Sequence, residues 1–260
     1  MHETIYYFSG TGNSLAAARG LAEQIGNTKI VNIVAPITTG GMADHTDTVG
    51  LVFPVYFEDM PDIVRRFVEK LQLEPNTYVF GLATCGSGPG LALHTLDRLL
   101  KKKGAKLAAG FSLEMPDNSI IIFNMIPPLD VQKSMLERSL HNIKQIAEIV
   151  KRKEVFAIEG KKRLRDRLER LFMKAIVTRI YKTPKRFRTT DKCTKCGSCR
   201  RVCPTGNIEV KNGEIKWGNN CTHCLACLHW CPATAINLGR GSNQKRYHHP
   251  DITVQDMRLR

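Results

Sequence analysis

The stretches CTKCGSCRRVCP at residues 193–204 and CTHCLACLHWCP at residues 221–232 repeat one pattern. Each holds four cysteines spaced C-x2-C-x2-C-x3-C, with proline directly after the last. Of the nine cysteines, only Cys85 lies outside these two runs. The N-terminus lacks the basic and apolar leader that is typical of secretion, so a disulfide framework is not expected. The spacing instead indicates ligands for a metal or a metal cluster.

The repeated spacing is typical of [4Fe–4S] clusters, in which the fourth cysteine of each run binds the other cluster. The first cluster is predicted to use Cys193, Cys196, Cys199 and Cys231, and the second to use Cys221, Cys224, Cys227 and Cys203. Zinc is the alternative. Zinc sites use four ligands, usually as two spaced pairs, and they do not explain two fourfold runs that each end in Cys-Pro.

Residues 190–238 resemble a bacterial-type two-cluster ferredoxin, in its compact form because the connection between Cys203 and Cys221 is short. The resemblance implies a small α+β ferredoxin-like domain that holds two [4Fe–4S] clusters as one-electron carriers. Acidic residues are few in this segment, whereas free-standing members of the family are usually acidic. The partners of this module are therefore not implied by the resemblance.

The N-terminal half alternates short apolar runs with segments of helical periodicity. Near-continuous apolar strands that alternate with helices predict an α/β domain with a five-stranded parallel sheet, doubly wound and covered on both faces. The expected strands are 4–8, 29–34, 48–55, 77–83 and 106–113, and the expected helices are 14–25, 62–71, 91–103 and 130–153.

The loop Ser9-Gly10-Thr11-Gly12-Asn13-Ser14 joins the first strand to the first helix. A helix N-terminus presents free N–H groups to anions, and glycines let the backbone approach the ligand closely. The lysine of a nucleoside triphosphate loop is absent, and Leu15 replaces the third glycine of the dinucleotide fingerprint. The loop therefore predicts a site for a single phosphate.

Residues 3–150 resemble the flavodoxins, which bind flavin mononucleotide (FMN). Besides the phosphate loop, the resemblance rests on the loops 53–57 and 84–90, which follow the third and fourth strands. It implies phosphate contacts from Ser9, Thr11, Gly12, Asn13 and Ser14, and ring contacts from Pro54, Val55, Tyr56, Thr84, Cys85, Gly86 and Gly90. Only Tyr56 and Phe57 are obvious aromatic candidates to stack on the flavin ring, and the loop 84–90 has none. One face of the ring is therefore expected to be open or covered by the ferredoxin part.

The chain as a whole resembles flavodoxin–ferredoxin fusion proteins of anaerobes. We expect a flavodoxin-like domain at 1–153, a basic amphipathic helical linker at 154–190, a ferredoxin-like domain at 191–240 and a tail at 241–260. The apolar stripe of the linker consists of Leu164, Leu168, Leu171, Phe172, Ala175 and Ile176. The tail is expected to fold back and to help the ferredoxin part pack on the flavin loops.

The formal net charge is +15, which favours acidic redox partners and allows contact with an anionic membrane surface. No apolar run is long enough to span a bilayer, so a cytoplasmic location is expected. The leading hypothesis is an electron-transfer iron–sulfur flavoprotein. The first alternative is an FMN-dependent reductase of a small molecule, with His94, His248 or His249 as proton donor. The second is a redox-responsive nucleic-acid-binding protein, which the lack of a recognised binding module disfavours.

Overall fold

The computed structural model describes residues 3–39, 43–44, 46–121, 124–160, 186–211, 214–239 and 245–259. The apolar stripe predicted for the linker lies outside these ranges and stays a prediction. Within the described residues, no helix is both long and apolar enough to cross a membrane.

The N-terminal part is built on a five-stranded parallel sheet, as predicted. The strands are β1 (Glu3–Tyr7), β2 (Thr28–Asn32), β3 (Ala43–Asp44), β4 (Thr48–Pro54), β5 (Gln72–Leu73), β6 (Tyr78–Cys85) and β7 (Ala109–Glu114). The sheet has the order β2-β1-β4-β6-β7, and β3 and β5 form a separate short pair. With the short pair left aside, this is the flavodoxin-like order, and its switch point lies between β1 and β4.

Two pairs of helices cover the sheet. The helices are α1 (Asn13–Ile25), α2 (Val34–Thr39), α3 (Asp62–Lys70), α4 (Ala92–Lys101) and α5 (Leu129–Lys151). Helix α1 packs against α5, and α3 packs against α4. Every residue of β6 is buried, as expected for a strand with helices on both faces. The sequence analysis missed only α2 among these helices.

The C-terminal part is a small α+β unit, as predicted. Its elements are β8 (Phe187–Thr189), α6 (Ser198–Arg201), β9 (Ile208–Lys211), β10 (Glu214–Trp217), α7 (Ala226–His229) and β11 (Ile236–Leu238). Strand β8 pairs with β11, and β9 pairs with β10, both in antiparallel fashion. In each copy of the cysteine repeat a short helix begins one residue before the third cysteine, so the repeat in sequence is a repeat in structure.

Both described ends of the segment assigned to a helical linker are extended rather than helical. Residues 154–160 run beside β7, where Ile158 forms a bridge with Gly110 and the Glu159 N–H donates to the Gly110 carbonyl over 3.0 Å. The Glu159 carboxylate also accepts the Ser112 N–H. At the other end, residues 187–189 form β8. Open backbone groups of strand neighbours pair with these residues, which explains why they are not helical.

Candidate cofactor sites

A cavity lies at the carboxyl ends of β1, β4, β6 and β7. Ligands of open α/β sheets bind at this edge, beside the switch point. Ten of the twelve residues predicted to bind FMN line it: Ser9, Thr11, Asn13, Ser14, Pro54, Val55, Tyr56, Thr84, Cys85 and Gly86. The structure thus brings the three predicted loops together around one space.

Gly12 and Gly90 are predicted binding residues that do not line the cavity. A Cβ atom on Gly12 would lie 3.0 Å from the Cβ atoms of His249 and Ile252, so this residue faces the tail. A Cβ atom on Gly90 would lie 2.5 Å from the Glu58 carbonyl oxygen. Both have positive φ angles, which glycine adopts without strain. They shape the loops rather than face the cavity, and Phe57 also lies outside the lining.

Four lining residues were missed by the sequence analysis: Gly10, Pro116, Asp117 and Asn118. The last three form the loop directly after β7. A polar Asp-Asn pair after the fifth parallel strand was a usable signal, because the carboxyl ends of parallel strands meet at one edge.

The phosphate loop holds its hydroxyl groups in fixed positions. Ser9 Oγ accepts the Gly12 N–H over 3.0 Å, and Thr11 Oγ1 accepts Asn118 Nδ2–H over 2.6 Å. A hydroxyl that accepts a hydrogen bond keeps its own proton to donate. Helix α1 has no side-chain cap at its N-terminus, so its first N–H groups also face the loop. These donors fit a single phosphate.

The tail supports the phosphate loop from the side away from the cavity. The His249 N–H donates to the Thr11 carbonyl over 2.8 Å, and the Tyr247 hydroxyl donates to Asn13 Oδ1 over 2.6 Å. Asn13 Nδ2 in turn donates to the Pro116 carbonyl over 3.0 Å. Burial raises the pKa of Tyr247, so its hydroxyl stays protonated. The tail folds back, as expected.

His229 links the ferredoxin part to the same loops. Its Nδ1 accepts the Tyr247 N–H over 3.2 Å, and its Nε2 lies 3.0 Å from the Asn118 carbonyl oxygen. Burial lowers the pKa of His229 to about 3, so the ring is neutral. With Nδ1 accepting, the proton is on Nε2 and is donated to Asn118. A hydrogen-bonded chain therefore runs from the cysteine repeat to the phosphate loop.

The cysteines form two groups. Cys193, Cys196, Cys199 and Cys231 line one cavity. In the second group, burial first and then nearby Cys203 raise the pKa of Cys221 and of Cys224. Burial first, and then Cys224 and Cys203, raise the pKa of Cys227. Each group thus contains the fourth cysteine of the other run, which is the arrangement that cross-ligation requires.

The surroundings of the cysteines fit thiolate ligands of a cluster. The Asn207 N–H donates to Cys203 Sγ over 3.2 Å, and the Ala235 N–H donates to Cys231 Sγ over 3.3 Å. Such hydrogen bonds to sulfur are a usual determinant of cluster potentials. Within the described ranges, no three His, Cys, Asp or Glu residues are close enough together to bind one single metal ion; the ligands of a cluster each bind a different iron atom and need not lie so close.

The second cysteine group lies directly against the flavin-type cavity. A Cβ atom on Gly10 would lie 2.7 Å from both the Cys224 carbonyl oxygen and the Tyr56 hydroxyl oxygen. Trp230 Nε1–H donates to the Gly10 carbonyl over 3.0 Å. Burial, followed by the charges of Cys224 and Cys221, raises the pKa of Tyr56 well above its usual value. Gly10 and Tyr56 therefore form a wall shared by the two sites.

The structure also shows the surroundings of Cys85 and of the histidines that were considered as proton donors. Burial raises the pKa of the Cys85 thiol to about 12, so this cavity residue carries a neutral thiol. No histidine is found among the described residues that line the cavity. His248 instead stacks on Trp230 with ring centroids 4.4 Å apart.

A family of known proteins matches the cysteine-rich part of the chain. Residues 192–236 match the family model described as a 4Fe-4S dicluster domain. No curated protein sequence matches the chain significantly.

Among solved structures, the chain is similar to two-electron reduced flavodoxin from Megasphaera elsdenii (19% identity, 55% of this chain and 96% of that chain, TM-score 0.35). It is similar to NAD(P)H:quinone oxidoreductase from Methanothermobacter marburgensis (14%, 58% and 96%, TM-score 0.38). It is also similar to rubredoxin oxygen:oxidoreductase from Desulfovibrio gigas (15%, TM-score 0.34), covering 58% of this chain but only 36% of that one.

The strand order of the N-terminal sheet is flavodoxin-like, and the dicluster match accounts for the cysteine repeat. The chain is a fusion of a flavodoxin-like domain with a ferredoxin-type 4Fe–4S dicluster domain.

Proposed function

We propose that this protein is a cytoplasmic electron-transfer iron–sulfur flavoprotein that relays electrons between two [4Fe–4S] clusters and FMN. The observation that carries the proposal is the wall formed by Gly10 and Tyr56. Both residues line the flavin-type cavity, and both approach Cys224 of the second cysteine group. Only the thickness of one residue therefore separates the flavin-type cavity from the second cysteine group.

The residues of the chain have distinct tasks in this proposal. Ser9, Thr11 and the N-terminus of α1 bind the flavin phosphate, and the loops after β4, β6 and β7 surround the ring. The two cysteine groups bind the clusters by cross-ligation. When bound, flavin exchanges electrons singly or in pairs and each cluster exchanges one at a time, so the three groups together connect one-electron and two-electron chemistry.

The absence of a side chain at Gly10 makes the close contact feasible. Any other residue would place an atom between Cys224 and the cavity. Trp230 seals the same contact, because it is buried and its indole N–H is bonded to the Gly10 carbonyl. A dry, fixed contact of this kind keeps the two sites at a constant separation.

The arrangement also gives the relay an order. The cavity of the first cysteine group is lined only by residues 193–199, 215, 231–233 and 236, all from the ferredoxin part. The second group alone touches the flavin-type cavity among the described residues. We infer that electrons pass between the surface and the flavin through the first group and then the second.

The test is kinetic and uses the protein with all cofactors bound. After partial reduction by dithionite under anaerobic conditions, the flavin and cluster absorbance should equilibrate at one rate over a tenfold range of protein concentration. A rate that rises in proportion to concentration would mean that transfer occurs between molecules, against the proposal. Rapid reoxidation of the flavin by one small acceptor, with no response to redox proteins, would favour the reductase alternative instead.

A further inference from the structure

The first cysteine group is the one that reaches the surface. Of the nine cysteines, only Cys196 is exposed. It lies in the loop Cys193–Cys199, in which Thr194 and Lys195 are also exposed. The Lys195 side chain borders the cavity of this group. An electron carrier that approaches the molecule here would come close to a cluster ligand without any change of fold.

Positive charge is concentrated on the segment that carries this loop. Residues 186–207 contain a single acidic residue, Asp191, and six basic ones: Arg186, Arg188, Lys192, Lys195, Arg200 and Arg201. The neighbouring hairpin β9–β10 differs, because Lys211 pairs with Glu209 over 2.9 Å and Lys216 pairs with Glu214 over 3.5 Å. The excess of positive charge therefore belongs to the cysteine loop and not to the ferredoxin part as a whole.

We propose that Lys192, Lys195 and the exposed edge of Cys196 form the docking surface for a small acidic one-electron carrier protein. The inference rests on the proposed function, and it names the partner that exchanges electrons with the first cysteine group. Complementary charge is the reason for this choice, because it steers encounter and fixes orientation in short-lived complexes. One electron leaves the carrier and one enters this chain, and no proton or bond changes hands.

Lysines beside thiolates have a second effect that must be separated from docking. A positive charge near a cluster stabilises its more negative, reduced form, and so raises its reduction potential. If Lys192 and Lys195 served only this purpose, replacing them would shift the potential and leave the affinity for a carrier unchanged.

The experiment measures binding to the complete protein by anaerobic calorimetry at low ionic strength. The probe is a purified acidic bacterial 2[4Fe–4S] ferredoxin. The variant is Lys192→Glu/Lys195→Glu. The matched control is Lys70→Glu/Lys102→Glu, which makes the same change in net charge at exposed positions. Lys70 and Lys102 lie where α3 and α4 end, at the sheet edge opposite the cavity.

We expect the loop variant to bind the ferredoxin at least about tenfold more weakly, since like charges now face each other. The control should stay within about twofold of the wild type, and the wild-type affinity should fall as salt is added. Equal weakening in both variants would reduce the effect to net charge and overturn the proposal. An unchanged affinity in the loop variant, with or without a shifted potential, would also overturn it.

A binding measurement with heparin tests whether the partner is a polyanion instead of an acidic protein. If heparin binds the wild type through the two lysines and the ferredoxin does not bind at all, the surface is not a carrier site. Failure of the proposed function looks different. In that case dithionite-reduced protein would show no exchange between clusters and flavin, whatever the ferredoxin affinity.

Discussion

The two copies of the cysteine repeat share a backbone but differ in surroundings. Lys195 and His223 hold equivalent positions, and both have a φ of 56°. The next residues, Cys196 and Cys224, are also equivalent, yet Cys196 is exposed and Cys224 is buried against Gly10. The same ligand spacing therefore serves one site at the surface and one site in an interface.

The residues between the ligands explain this difference. Where the first copy has Gly197, Arg201 and Val202, the second has Leu225, His229 and Trp230. All three residues of the second copy are buried, whereas only Val202 of the first set is buried. Arg201 turns back to its own loop and donates to the Cys196 carbonyl over 2.8 Å, whereas His229 and Trp230 bond to the flavodoxin-like part. The two copies share their cysteine spacing, and the intervening residues set which cysteine group lies against the flavin-type cavity.

The largest effect is expected from replacing the fourth cysteine of each run in turn. Cys203→Ala removes a ligand from the second group, so about four of about eight irons should be lost together with fast transfer to the flavin. Cys231→Ala should instead remove the cluster of the first cysteine group and leave electron exchange between the flavin and the cluster of the second group. Iron analysis and rapid-mixing spectroscopy measure both. Cys85→Ala is the control, with full iron content. If Cys203→Ala instead lost the cluster of the first cysteine group, cross-ligation would be contradicted.

The contact between the second copy of the repeat and Gly10 can be broken without replacing a cysteine. Gly10→Ala places a methyl group 2.7 Å from both the Cys224 carbonyl and the Tyr56 hydroxyl, too close for either to remain in place. Overpacking of this kind costs about 1–3 kcal/mol, and exchange between flavin and clusters should slow. Gly20→Ala is the control, since its methyl meets only Ile143 at 3.3 Å. Equal rates in the two variants would show that Gly10 is not part of the path.

The hydrogen bonds of the tail sharpen the comparison further, because the two copies meet the tail in different ways. In the second copy His229 Nδ1 accepts the Tyr247 N–H over 3.2 Å, and in the first copy the Arg201 carbonyl accepts the Leu259 N–H over 3.0 Å. Tyr247→Phe removes the bond to Asn13 Oδ1 and leaves that buried oxygen without its donor. FMN affinity, measured by fluorescence titration, should fall by about 1 kcal/mol, or about fivefold, with cluster content unchanged. Tyr78→Phe removes a hydroxyl that donates to Glu154 over 2.7 Å and should leave FMN affinity unaltered. A similar loss in both variants would refute the role of the tail.

The smallest effect concerns the end of the tail. Hydrogen bonds from the Thr253 hydroxyl and N–H, and the nearby Arg19 guanidinium at 2.5 Å, lower the pKa of Asp256. A carboxyl with a depressed folded-state pKa stabilises above its unfolded pKa of about 3.9 and loses that contribution as pH falls below it. The Asp256 side chain is 24% exposed and that of its partner Arg19 is 45% exposed. Solvent therefore screens the pair, and Asp256→Asn should weaken the tail by less than about 1 kcal/mol at pH 7.

Hydrogen exchange of the amides in residues 247–259 measures this effect. It should be faster in Asp256→Asn at pH 7. The difference from the wild type should shrink as pH falls below about 3.9, and it should vanish only at a pH below the lowered folded-state pKa. Glu148→Gln breaks an exposed pair with Lys151 on α5 and should leave tail exchange unchanged. An unchanged rate in Asp256→Asn would mean that the other contacts of the tail, such as those of Tyr247 and His249, hold it without Asp256.

Much of the fold was readable from the sequence because its signals are local. Apolar runs and helical periodicity gave all five strands of the main sheet, and the cysteine spacing predicted the dicluster domain. The extended run at 154–160 was missed because its strand character depends on pairing with β7, a contact that periodicity within seven residues does not report. Gly12 was assigned to the cavity because a motif does not show on which side of a loop each residue faces.

The sequence by itself determined which chemistry the chain can hold, since the Gly-rich loop and the cysteine runs each lie within a few consecutive residues. The tertiary structure alone decided how these parts meet. Asn118 contacts Thr11 across 107 residues, Trp230 contacts Gly10 across 220, and Tyr247 contacts Asn13 across 234. Such contacts follow from how two domains and a tail pack around one loop, and no pattern within a single segment encodes them. That packing buries Cys224 and leaves its equivalent, Cys196, at the surface.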